Sequence, residues 1–117
     1  MPFTLKAIVA GMRLIGAIRT VKYHARSSGV ASADSYDAGV DYEAYRSPMT
    51  RADINGESRV VAMWHLYTIA GQTVKPARLG KIVDTTDVQA GETWHIDHVL
   101  RMYGDLKHDC FCVLEVQ

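Results

Sequence analysis

Histidines, cysteines and an aspartate gather in two short stretches of the C-terminal half, and any bond-making chemistry would be sought there. In Trp94-His95-Ile96-Asp97-His98, strand geometry puts His95 and Asp97 on one face and His98 on the other, with Trp94 and Ile96. A His–Asp pair can orient an imidazole for base catalysis or metal ligation. Either use needs a third group, and nothing nearby in sequence supplies one. The plainer reading is a solvated polar face opposite a Trp/Ile core face, with His98 a hydrogen-bonded interior or interface histidine. The second stretch places His108 before Cys110 and Cys112. Zinc sites space their thiolates by two to four residues and add a second ligand pair at a distance, so His-X-Cys-X-Cys would need His65 or His95 to complete it in space. Two cysteines two apart on one strand sit too far apart to bond comfortably. They read as small buried apolar side chains in a reducing compartment. The chain has no GxSxG elbow, Walker loop, GxGxxG or HExxH. The expectation is therefore a protein that is not an enzyme and carries no metal or cofactor.

Aromatic residues interleave with arginines in the middle of the chain: Tyr36, Tyr42, Tyr45, Trp64 and Tyr67 with Arg26, Arg46, Arg51 and Arg59. A stacking platform for single-stranded nucleic acid uses such residues, and so do the anchors of protein interfaces. Thirteen basic residues balance thirteen acidic ones, and Asp34, Asp37, Asp41 and Glu43 fall in the same region. That balance favours the interface reading, with Tyr42 and Tyr45 as candidates.

The elements that must position these residues are mostly strands. Ser58–Ile69, Gly80–Thr85, Glu92–Met102 and Cys110–Val116 are rich in β-branched and aromatic residues, and Gly71-Gln72, Ala90-Gly91 and Tyr103-Gly104-Asp105 separate them. Thr20–Arg26 alternates with Val21, Tyr23 and Ala25 on one side, and Val40, Tyr42 and Ala44 share a face of a further strand over Val40–Arg46. Pro76 cannot donate to a ladder, so the stretch from Ile69 to Gly80 is a crossing connection. Ser47–Glu57 is the longest polar insertion and ends in Asn55-Gly56, a pair that favours positive φ. It predicts a projecting hairpin tip or loop, with Arg51, Asp53 and Asn55 as its candidate contact residues. Near the N-terminus, Leu5, Ile8, Met12, Ile15 and Ile18 recur at helical spacing, so a helix is expected over residues 3–19, with Thr4 as N-cap. Its apolar stripe, Leu5, Ile8, Met12 and Ile15, needs either the sheet of its own domain or a neighbouring subunit to cover it. Lys6 and Arg13 interrupt the segment, which predicts neither a membrane span nor a signal peptide.

At 117 residues with 48% apolar and 22% charged residues, the chain is expected to fold as a single domain over residues 1–117. The predicted fold is mainly β: a small barrel or sandwich of about six strands over residues 20–117, with an N-terminal α-helix.

The order of parts resembles the head–tail connector proteins of long-tailed bacteriophages, the stopper or head-closure family. A helix leads into VKYHAR, then come a loop-rich middle, the strand VVAMWHLYTI, Leu79-Gly80-Lys81-Ile82-Val83-Asp84, a turn, Gly91-Glu92-Thr93-Trp94-His95-Ile96-Asp97-His98-Val99 and a closing strand. Gly80, Ile82, Gly91, Trp94, Ile96 and Val99 stand at the family's motif places. Lys81 replaces the acidic residue expected after Gly80, and Gln89-Ala90-Gly91-Glu92 replaces an Asp-Gly turn. The resemblance spans Met12 to Glu115. It implies a homo-oligomeric ring, six- or twelve-fold, that closes the DNA channel below portal and adaptor and docks the tail. It further implies a place in the virion neck after assembly in the host cytoplasm, only transient contact with packaged DNA, and the loop over 47–57 reaching the channel or a neighbouring ring. A tail-terminator or tail-completion ring is a close variant. A β-barrel module binding nucleic acid or a ligand, and a metal-dependent enzyme built on His95 and Asp97, are the readings from other classes.

Overall fold

The computed structural model describes residues 18–27, 35–68, 72–84, 91–102, 104 and 106–115. Alternating sequences in these segments form seven strands: β1 (Arg19–His24), β2 (Val40–Arg46), β3 (Thr50–Ile54), β4 (Glu57–Tyr67), β5 (Lys81–Asp84), β6 (Glu92–Met102) and β7 (Lys107–Leu114). All pairings are antiparallel. The order β2-β1-β5-β6-β7-β4 returns on itself because β2 also pairs with β4, so six strands close a barrel and β3 is left as an extra strand on β4. Closure decides between the two expected architectures in favour of the barrel. The helix expected over 3–19, with Leu5, Ile8, Met12 and Ile15, lies outside the described residues except at its end, where Arg19 already belongs to β1.

The alternation read from sequence corresponds to the inside of the barrel. Val21 and Tyr23 of β1, Tyr42 and Ala44 of β2, Trp64 and Leu66 of β4, and Ile82 of β5 are buried there with Trp94 and Ile96 of β6 and Cys110 and Cys112 of β7. Trp64 and Trp94 meet edge to face with centroids 6.1 Å apart, and Tyr23 and Tyr42 do so at 6.3 Å. Both are favoured offset geometries for aromatic pairs.

Two irregularities shape the barrel. In β6, Ile96 faces Cys112 and His98 faces Phe111, so Asp97 is an extra residue, a β-bulge. The second lies between β2 and β3. Arg46 pairs with Trp64 and Thr50 with Val61, so three residues, Ser47, Pro48 and Met49, stand opposite two, Ala62 and Met63. Pro48 has no N–H to give to the ladder. Ser47 bridges the gap: its amide donates to the Met63 carbonyl (2.9 Å), and its hydroxyl accepts from the Met63 amide (2.8 Å). β2 and β3 are thus one strand bent at Ser47–Met49, both halves paired to β4. The segment 47–57, expected as a projecting loop, is this bend together with β3 and the turn to β4. It leaves the barrel as a hairpin arm. Its composition is polar because the sheet does not cover it on either side as it covers the barrel strands.

Candidate functional site

The arm carries the three contact residues expected of the insertion. Asn55 and Gly56 hold φ values of 50° and 82°, the left-handed pair that a two-residue hairpin turn demands. Arg51, Asp53 and Asn55 are all exposed. Arg51 donates only a long 3.5 Å hydrogen bond, to the Ser58 hydroxyl. At the base of the arm, Arg59 donates to the Leu114 carbonyl at 3.1 Å and lies 3.9 Å from Glu57, tying β4 to the end of β7.

At this same end the barrel has a mouth. The arm frames a groove of about 400 Å³ lined by Met49, Thr50, Arg51, Val60, Glu92 and Leu114. Its floor is apolar and its rim is charged. Glu92 pairs with Arg46 at 3.2 Å, and the Arg46 guanidinium lies over the Trp94 ring at 5.9 Å. A second pair at this end, Arg19 with the buried Asp84 at 2.7 Å, joins β1 to β5.

The opposite end is shut by the crossing connection, whose described part is 72–80. Tyr42 donates its phenol to the Val74 carbonyl at 2.6 Å, and the Ala77 amide donates to the Tyr23 phenol at 3.1 Å. Burial raises both phenol pKa values, so each remains a neutral donor or acceptor fastening the strap. The strap rejoins the sheet at Leu79 and Gly80, which bracket Ile96: the Leu79 amide donates to the Ile96 carbonyl (3.1 Å), and the Ile96 amide donates to the Gly80 carbonyl (2.9 Å).

The sequence-predicted chemistry does not assemble. The bulge at Asp97 turns His98 outward, where it stacks on Phe111 at 5.0 Å instead of facing the core. Asp97 pairs with His98 (2.9 Å), and His95 reaches Glu115 (2.9 Å), so the His95–Asp97 pair does not form. Cys110 and Cys112 are free and buried. Burial, with Asp109 adjacent, pushes the Cys110 thiol up to about 12, and burial beside Cys110 pushes Cys112 up further. Both therefore stay protonated at neutral pH in the barrel. Among the described residues, no three His, Cys, Asp or Glu side chains are placed to hold a metal ion.

The aromatic and arginine set also separates. Tyr42, a candidate interface anchor, is fully buried in the barrel, as is Trp64; the phenol of Tyr42 is spent on the strap, which removes it as a surface residue. Tyr45 faces outward, half-buried, and stacks on His65 at 5.6 Å. Tyr36 lies between Arg26 and Lys81, with cation-to-centroid distances of 5.6 and 4.3 Å. One constellation was not foreseen. Asp109 pairs with His65 Nδ1 at 2.7 Å and with Lys107 at 3.3 Å on the outer wall. These contacts arise because register places His65 directly opposite Asp109, a fact that neither strand carries by itself. The pairing ties β4 to β7.

No protein-family model, curated protein or solved structure matches this chain.

Proposed function

We propose that the chain is a non-enzymatic, ring-forming structural subunit of the bacteriophage head–tail interface, of the stopper type. In this reading the ring closes the DNA channel below portal and adaptor and offers the tail its docking surface. The observation that carries the proposal is the arm. A closed barrel satisfies its own backbone and needs no partner to fold, yet this chain extends one strand past the barrel and ends it in exposed Arg51, Asp53 and Asn55. A polar hairpin on a rigid barrel suits reversible contact with a neighbouring ring or with passing DNA. The order of strand motifs that resembles the stopper family supports the same reading. So does the absence of net charge, since a passage must release its cargo and strong phosphate affinity would hold it.

Native mass spectrometry of the purified chain, alone and with a portal–adaptor complex, tests the proposal. Six or twelve copies bound to that complex are the expected result. A chain that ignores the complex, or that retains one zinc ion per copy, overturns it. Six- or twelve-fold binding to the end of a tail tube instead of the portal side would identify a tail-terminator ring.

A further inference from the structure

The outer edge of the arm is a strand edge. Among the described residues β3 pairs only with β4, so one side of Thr50–Ile54 has no strand beside it. Which backbone groups lie on that side follows from the turn. Ile54 and Glu57 stand in register on either side of Asn55 and Gly56, and residues that flank a two-residue turn exchange backbone hydrogen bonds. Alternation then directs the amides and carbonyls of Ile54, Ala52 and Thr50 toward β4, and those of Arg51 and Asp53 outward. The side chains of these same two residues are exposed and share one face of the strand.

Charged side chains on an edge ordinarily discourage pairing, because most strands that approach set like charges against them. Here the order of signs favours one partner, a second copy of β3. When two copies run antiparallel about Ala52, Arg51 of each stands opposite Asp53 of the other, Thr50 opposite Ile54, and Ala52 opposite Ala52. The outward backbone groups fall in step with the charges. Arg51 and Asp53 form a hydrogen-bonded pair in each half, and the alanines form the closer non-hydrogen-bonded pair between them, where a small side chain fits. Sliding one copy by two residues keeps the backbone in step but sets Arg51 on Arg51, or Asp53 on Asp53, which disfavours both of those registers.

We propose that two copies of this chain pair through their arms, β3 edge to β3 edge, in the register centred on Ala52. The contact is isologous, so it stops at two copies. Five residues a side make a small interface, so a single contact is weak and reversible, and it strengthens where many arms are presented together. The inference goes beyond the stopper reading and does not rest on it.

Arg51→Asp sets carboxylates against each other across the dyad, and Asp53→Arg sets guanidinium groups. Both positions are exposed, so neither substitution enters the core. By analytical ultracentrifugation at low salt the wild-type chain is expected to self-associate, and each single variant to show self-affinity lowered about tenfold or more. The double variant, Arg51→Asp with Asp53→Arg, restores opposite signs and is expected to recover the wild-type affinity, as is an equimolar mixture of the two single variants. In hydrogen exchange, protection of the Arg51 and Asp53 amides should rise with protein concentration. A wild-type chain that stays monomeric at its highest soluble concentration overturns the proposal. So do single variants that associate like the wild type, or a double variant that stays as weak as they are. Amides protected equally at every dilution put the chain's own backbone on the edge and overturn it too. Self-association that meets these expectations in a chain that ignores the portal–adaptor complex leaves the arm contact standing and removes the head–tail reading instead.

Discussion

At the scale of single residues, the two buried thiols give the clearest measurable signature. In the unfolded chain both ionise near their ordinary value of about 9, whereas in the barrel Cys110 keeps its proton up to about 12 and Cys112 beyond. The folded state therefore binds protons that the unfolded state has already lost. Stability is unaffected well below pH 9 and falls as pH rises above it, until the folded thiols ionise in turn. The slope approaches about 1.4 kcal/mol per pH unit for each thiol. Urea unfolding across that range should show the decline, and the Cys110→Ala, Cys112→Ala double variant should flatten it. Glycine substitutions separate two other causes of instability. At Gly80 an added Cβ would sit 2.6 Å from the Tyr23 ring, while at Gly56 it would meet nothing within 4 Å but would occupy a φ of +82°. Gly56→Ala should cost about 1 kcal/mol from backbone strain. Gly80→Ala should cost about 2–3 kcal/mol from overpacking and loosen the strap, which chemical denaturation would reveal as two distinct shifts in midpoint. Which side chains share a face was readable at this scale wherever alternation is unbroken: Val21 and Tyr23, Tyr42 and Ala44, Trp94 and Ile96. His98 was misplaced because a bulge changes the parity of everything after it, and no residue type in the strand announces the bulge. Tyr42 was also counted among interface candidates because tyrosines and arginines interleave there, against its own strand alternation; the strap that takes its hydroxyl comes more than thirty residues later.

At the scale of elements, the arm should be separable from the barrel. Deleting Asp53, Ile54, Glu57 and Ser58 joins Ala52 to Asn55 and Gly56 to Arg59, a pair already in register, and preserves the turn. The arm then ends about 7 Å nearer its base. The shortened chain should keep its melting temperature within a few degrees, because none of the deleted residues belongs to the core, yet it should fail to close a channel or join a neighbouring ring. Loss of the fold in circular dichroism would show that the arm supports the barrel after all. Six of the seven strands were legible, four as runs of β-branched and aromatic residues and two by alternation. β3 was not, because Thr50-Arg51-Ala52-Asp53-Ile54 lacks the apolar face that a covered strand needs. Its strand character comes from the partner that β4 provides, and a window of sequence contains no partner.

At the scale of the whole molecule, the two ends of the barrel differ among the described residues: the arm frames a groove at one, and the strap carrying the exposed Val74 and Leu79 crosses the other. If copies assemble into the proposed ring, apparent stability depends on concentration. The melting temperature of the chain should then rise with protein concentration, as differential scanning calorimetry at several dilutions would show. The bend at Ser47 acquires a further meaning in an assembled ring. One hydroxyl completes the rung that fixes how the arm leaves the barrel, and symmetry repeats that departure angle in every copy. In the ring proposed above, the arms would stand like the blades of an iris, each set at its angle by one serine held to the barrel wall.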